Sequence, residues 1–190
     1  MKITIPTILT LFRILLIPVL VAVFYLPHEY LSQAWVNFAA AFVFVLGALT
    51  DWADGWIARR WNQYSAFGAF LDPVADKLAV TVALLLIIER YPTHWMTLLA
   101  AIIIGREIAI SALREWMAEV GHGRKVKVAW LGKLKTIVQM VAISMLLYQQ
   151  DIAGLPVFLI GEVLLGVAAA LTLMSGYGYL RAAWPSLRGD

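Results

Sequence analysis

Four aspartates dominate the chemistry that this sequence can offer. Asp51 and Asp54 stand three residues apart, and Asp72 and Asp76 stand four apart, about twenty residues further on. On helices, both spacings put a pair on one face. A short connection would make the two helices antiparallel neighbours, so the faces can meet. Four carboxylates gathered in this way repel one another. At ~5 Å and an effective dielectric of ~20, each like pair costs about 3 kcal/mol. The arrangement survives with protonation, basic partners or a bound cation. An all-oxygen donor set without His or Cys suits Mg2+ or Mn2+, ions that are commonly shared with substrate phosphates.

The elements that position these acids must lie in a membrane. The chain has 190 residues, of which 62% are hydrophobic and 14% charged, against about 45–50% and 25% in soluble domains. At ~20 residues per span, that apolar content fills about six helices. The apolar runs are continuous, which excludes an outer-membrane barrel. There is no cysteine, and His28, His94 and His122 are too far apart in sequence to suggest a zinc site. The predicted architecture is all-α, one domain over 1–190 with six transmembrane helices. Met1–Thr10 is expected at the interface. The spans follow at about Leu11–Leu26, Ala34–Arg59, Phe67–Ile88, His94–Ser111, Trp130–Tyr148 and Pro156–Leu180.

Charge placement sets the expected orientation. With both termini cytoplasmic, every one of the 15 lysines and arginines except Arg90 falls on the cytoplasmic side, as the positive-inside rule requires. The net charge of +3 is therefore read as topology and not as a sign of nucleic acid. Length then forces charges into the helices. After Lys77 the third span has only Leu78–Ile88, ~17 Å of a ~30 Å core. The helix must continue back through Asp76 and Asp72. By the same argument Lys133 and Lys135 belong to the fifth span, while Arg106 and Glu107 lie within the fourth. Acids are too short to snorkel, so they should face one polar chamber near the cytoplasmic ends. Arg13, Arg60, Lys77 and Arg181 are expected to snorkel, with Thr10 and Arg13 bordering the chamber. The tryptophans, among them Trp95, Trp130 and Trp184, are expected to form an interfacial belt.

Small residues lie beside the acids. Gly55 and Ala58 share a helical side with Asp51 and Asp54, and Gly68 precedes Asp72 by one turn. They would leave a floor against which a nucleotide could press, or allow close helix packing. The whole string, D-x2-D-G-x2-A-R-x8-G-x3-D-x3-D, runs from Asp51 to Asp76. It resembles the CDP-alcohol phosphotransferase family of integral membrane phospholipid-synthesis enzymes at every fixed position. The opening Pro6-Thr7-Ile8-Leu9-Thr10-Leu11-Phe12-Arg13, the run Arg59–Gln63, the stretch Arg106–Glu119 and Gly132–Thr136 are also similar to members of that family. The resemblance is weakest after Leu147.

The resemblance implies that Asp51, Asp54, Asp72 and Asp76 hold a divalent metal, with Asp76 also the general base. It implies that Gly55, Ala58, Arg59 and Gly68 line a cytidine diphosphate site. The implied substrates are CDP-diacylglycerol and sn-glycerol 3-phosphate, giving phosphatidylglycerol phosphate and CMP. The implied setting is the bacterial inner membrane, with the site facing the cytoplasm, membrane lipids around it and a homodimer as the assembly. An acceptor that carries its own phosphate needs a basic pocket, for which Arg106, Arg114, Lys133 and Lys135 are the candidates. Arg124, Lys125 and Lys127 are assigned to topology and anionic lipid. Within the family, serine, inositol phosphate or phosphatidylglycerol are alternative acceptors. Outside it, a prenyltransferase would space its acids more widely, and a cation transporter would show an inverted repeat, which is absent.

Overall fold

The structure, a computed structural model, describes residues 4–27, 29–61, 65–119 and 130–188, excluding the side chains of 130–133, 182 and 185–188. Six helices follow in chain order: α1 (Ile5–Phe24), α2 (Gln33–Trp61), α3 (Ala66–Arg90), α4 (His94–Glu119), α5 (Trp130–Tyr148) and α6 (Val157–Arg188). Among the described residues there is no strand, only an isolated bridge between Ile152 and Leu155. Among the described residues, four helices are long and apolar enough to cross a membrane: α1, α2, α4 and Val157–Arg181 of α6. The remaining two, α3 and α5, carry charges into the bundle. The α3 helix runs unbroken from Ala66 through Asp72 and Asp76, as the length argument demands, and α5 likewise includes Lys133 and Lys135.

Three boundaries differ from the sequence expectation. Residues 5–10 are not a separate segment; they form the first turns of α1, where Pro6 supplies a φ ready for helix. The α4 helix continues past Ser111 to Glu119 and so carries Arg114. The α6 helix extends beyond Leu180 to Arg188. In each case the added turns are polar at intervals, and hydropathy alone reads polarity as an end.

The packing centres on α1, which lies against α2 and α3, and on α5, which lies against α2 and α6; α4 completes the bundle through α6. One apolar core joins Leu20, Phe44, Leu84, Ile87, Met96, Ile103, Ile143, Leu146 and Leu165. The outer faces expose Trp35, Phe42, Leu85, Leu98, Ile108 and Val163, a surface suited to lipid. At the end remote from the aspartates, Arg90 lies over the Phe24 ring at 3.9 Å and donates to Asn37 Oδ1 at 2.8 Å. Asn37 donates in turn to Gln149 Oε1 at 3.0 Å, which also accepts from the Tyr91 hydroxyl at 2.8 Å. This network ties α1, α2, α3 and the end of α5 together.

The α5 and α6 helices meet closely at Gly161. A Cβ there would stand 3.0 Å from Met145 Cβ, 3.1 Å from Leu146 Cγ and 3.3 Å from the Ala142 carbonyl oxygen. Close approach of helices through a small residue is the main packing device available in lipid. Gly161→Ala is expected to destabilise the bundle by about 1–3 kcal/mol through overpacking, seen as a lower unfolding midpoint in detergent. An unchanged midpoint would show that the seam yields.

Candidate active site

On α1, Thr7, Thr10 and Arg13 recur every three residues and are all buried; Arg13 is only 2% exposed. Arg13 does not snorkel. Its guanidinium sits among the four aspartates of α2 and α3. Nη1 donates to both Asp51 and Asp76, while Nη2 donates to Asp54 at 3.2 Å and lies 3.8 Å from Asp72. Thr10 adds a hydroxyl donated to Asp72 Oδ1 at 2.6 Å. The acids therefore meet as the helical spacing predicts, and a residue expected at the membrane interface is their common partner. Inward burial wins because an arginine at this point relieves repulsion among four gathered carboxylates, of which Asp54 is itself buried. The polar three-residue stripe on an otherwise apolar helix is the sequence signal that marks Arg13 and Thr10.

Their donor chemistry fits a hard divalent cation. Four carboxylates face one guanidinium, so the cluster has negative charge to spare, and every side-chain donor is oxygen. The spacing is that of a guanidinium partner: among the described residues, no three acids stand close enough together to chelate one ion.

Two spaces adjoin the cluster. One, of about 570 Å³, is bordered by Thr4, Thr7, Thr10, Gly55, Ala58, Arg59, Ser65, Gly68 and Asp72. It brings together all four residues singled out for the nucleotide. Its floor depends on missing side chains. A Cβ on Gly68 would stand 2.9 Å from Ser65 Oγ and 3.1 Å from Thr7 Oγ1, and one on Gly55 would meet Arg59 Nη1 at 3.3 Å. Ser65 is the N-cap of α3, accepting from the Gly68 amide, and its hydroxyl lies 2.7 Å from that of Thr7. This contact joins the start of α1 to the start of α3. The other space, of about 790 Å³, has Arg13, Asp51, Asp76, Glu107 and Gln139 at its polar part and Leu16, Leu20, Val43, Phe44 and Met140 along its apolar walls.

The basic residues assigned to the acceptor are divided. Lys135 is buried and pairs with Glu107 at 3.2 Å, and Glu107 lines the larger space. Arg106, the next residue on α4, turns towards α6, donating to Ser175 Oγ at 2.6 Å. Arg114 is exposed on α4. The Lys133 side chain lies outside the described residues. Lys77, expected to snorkel, instead donates to the buried Ser111 hydroxyl on α4.

The structure is an all-helical bundle with membrane-length helices, in which aspartates from two neighbouring helices converge on one arginine. The match to the CDP-alcohol phosphatidyltransferase family spans residues 3–174, and the chain belongs to that family. Relatives named CDP-diacylglycerol–glycerol-3-phosphate 3-phosphatidyltransferase cover nearly the whole chain. The one from Salmonella choleraesuis (strain SC-B67) is 54% identical, over 100% of this chain and 98% of its own. Those from Escherichia coli (strain K12) and Shigella flexneri serotype 5b are each 55% identical over 96% of both chains.

Arg13 should be the most costly single loss in the cluster. Arg13→Met is expected to destabilise by about 3 kcal/mol, since it leaves the buried Asp54 carboxylate unpaired. Adding Asp54→Asn should recover part of that loss. Strictly additive losses in a double-mutant cycle of unfolding midpoints would show that the two residues do not interact.

Proposed function

We propose that the chain transfers the phosphatidyl group of CDP-diacylglycerol to sn-glycerol 3-phosphate, releasing CMP and phosphatidylglycerol phosphate. The observation that carries this reading is the convergence of Asp51, Asp54, Asp72 and Asp76 beside the pocket that gathers Gly55, Ala58, Arg59 and Gly68, in a chain whose relatives bear that substrate pair in their name. The cytidine diphosphate is assigned to that pocket, where backbone at Gly55 and Gly68 permits close approach and Arg59 supplies a phosphate contact. The amphipathic space beside Arg13 suits the diacylglycerol portion. We assign the site to the cytoplasmic face of a bacterial inner membrane, in a homodimer.

The chemistry follows from these positions. The acceptor hydroxyl attacks the phosphorus that carries diacylglycerol, and its proton passes to the Asp76 carboxylate. A new P–O bond forms as the bond to CMP breaks. A divalent cation, Mg2+ or Mn2+, held by the four aspartates would neutralise the diphosphate and the departing CMP. Phosphoryl transfer asks mainly for positioning and charge stabilisation, so no covalent nucleophile is required. Arg106, Arg114, Lys133 and Lys135 are assigned to the phosphate of the acceptor.

Purified protein should release CMP from CDP-diacylglycerol only when glycerol 3-phosphate is supplied and should lose activity in EDTA. Better turnover with serine or inositol phosphate would overturn the acceptor assignment. Asp76→Asn should lower kcat by about 100-fold or more while the protein remains folded. Near-normal turnover would remove Asp76 from the role of base.

A further inference from the structure

The α6 helix lies where the family resemblance is weakest, yet it carries a polar stripe. Thr172, Ser175, Gly176 and Tyr179 recur at the spacing of one helical face; the first three are buried and Tyr179 is partly so. Ser175 Oγ donates its proton to the Thr172 carbonyl at 3.0 Å. That leaves its lone pairs to accept from Arg106 Nη2 at 2.6 Å. Arg106 Cζ lies 5.9 Å from the centre of the Tyr179 ring, within the range of a cation–π contact. Gly176 faces the same side chain; a Cβ there would touch Arg106 Cγ and Nε at 3.4 Å, ordinary van der Waals contact.

The holding groups are all neutral. Glu107, the acid adjacent in sequence, is engaged by Lys135 at 3.2 Å, and among the described residues Arg106 has no ion pair. Its Nε is buried and makes no hydrogen bond. A guanidinium in the bundle is thus held by a hydroxyl and an aromatic ring, with no carboxylate at ion-pair distance among the described residues. Arg90 is held by neutral groups too, but at the far end of the bundle; Arg106 is next to Glu107, which borders the larger space with Lys135 as its partner.

We propose that Ser175 and Tyr179 are positioning residues that hold Arg106 for the phosphate of the acceptor substrate. The inference rests on the assignment of Arg106 to that phosphate made above. Ser175 fixes one edge of the fork, and Tyr179 places an aromatic ring beside it. A planar donor restrained in this way loses little freedom when a phosphate arrives.

The test is steady-state kinetics with inorganic phosphate as a second probe, competing with glycerol 3-phosphate. Arg106→Gln sets the reference and should raise both the KM for glycerol 3-phosphate and the inhibition constant for phosphate. Ser175→Ala is expected to raise the same two constants together by roughly 10-fold, with the KM for CDP-diacylglycerol and the unfolding midpoint little changed. Ser175→Thr should restore them. Tyr179→Phe should stay near wild type and Tyr179→Leu should not. If Ser175→Ala does not fold, Tyr179→Leu should give the same split by removing the aromatic ring beside the arginine. A Ser175→Ala enzyme with unchanged constants, or with both substrates weakened alike, overturns the proposal while leaving Arg106 as an acceptor ligand. An Arg106→Gln enzyme with unchanged constants overturns the acceptor assignment itself, and the proposal with it.

Discussion

The bundle is organised around one buried arginine opposed by four aspartates. Without a cation among them, Asp51, Asp54, Asp72 and Asp76 could not share a site at membrane depth, because mutual repulsion and the cost of removing charge from water act together. Arg13 brings a third helix to the meeting of α2 and α3, and Thr10 reinforces it from the next turn of α1. The position of α1 is therefore an electrostatic matter at one end and an apolar one at the other, where Leu20 and Phe24 enter the core.

That division runs through the whole molecule. Towards the aspartates, helices are joined by charge and hydroxyl contacts: Lys77 to Ser111, Lys135 to Glu107, Thr7 to Ser65. Through the middle they are joined by close-packed apolar side chains, and towards the far end by the close approach at Gly161. At the far end a single network around Arg90 and Gln149 closes the bundle. Polar contacts are costly to leave unmade in lipid, so placing them at the two ends leaves a middle that tolerates apolar substitution and a site end that does not. The two spaces beside Arg13 inherit the same polarity, with a polar part against the aspartates and, in the larger, an apolar wall leading away. Such a cavity suits a substrate that is itself charged at one end and fatty at the other.

Much of this could be read in the residue order. The spacing of the four aspartates, the six apolar runs and the shortness of the third and fifth runs unless charges are included all led to features that the structure contains. The fate of the basic residues could not be read in the same way. Arg13 and Lys77 look alike as long cations near span ends, for which snorkelling is the cheapest outcome taken alone, while Arg106, within its span, reads as a contact for phosphate. In the bundle they do three different things: Arg13 neutralises acids, Lys77 joins a serine on α4, and Arg106 lies in a seat on α6.

What the order of residues determined was periodicity and length: which segments must be helices in a membrane, and which faces carry acids. Those follow from local geometry, the 3.6-residue turn and the thickness of a bilayer, and need no neighbour. Which cation meets which acid was decided only by tertiary packing. A long side chain with a charge at its tip can satisfy that charge in several directions, and only the helix that happens to stand opposite selects among them.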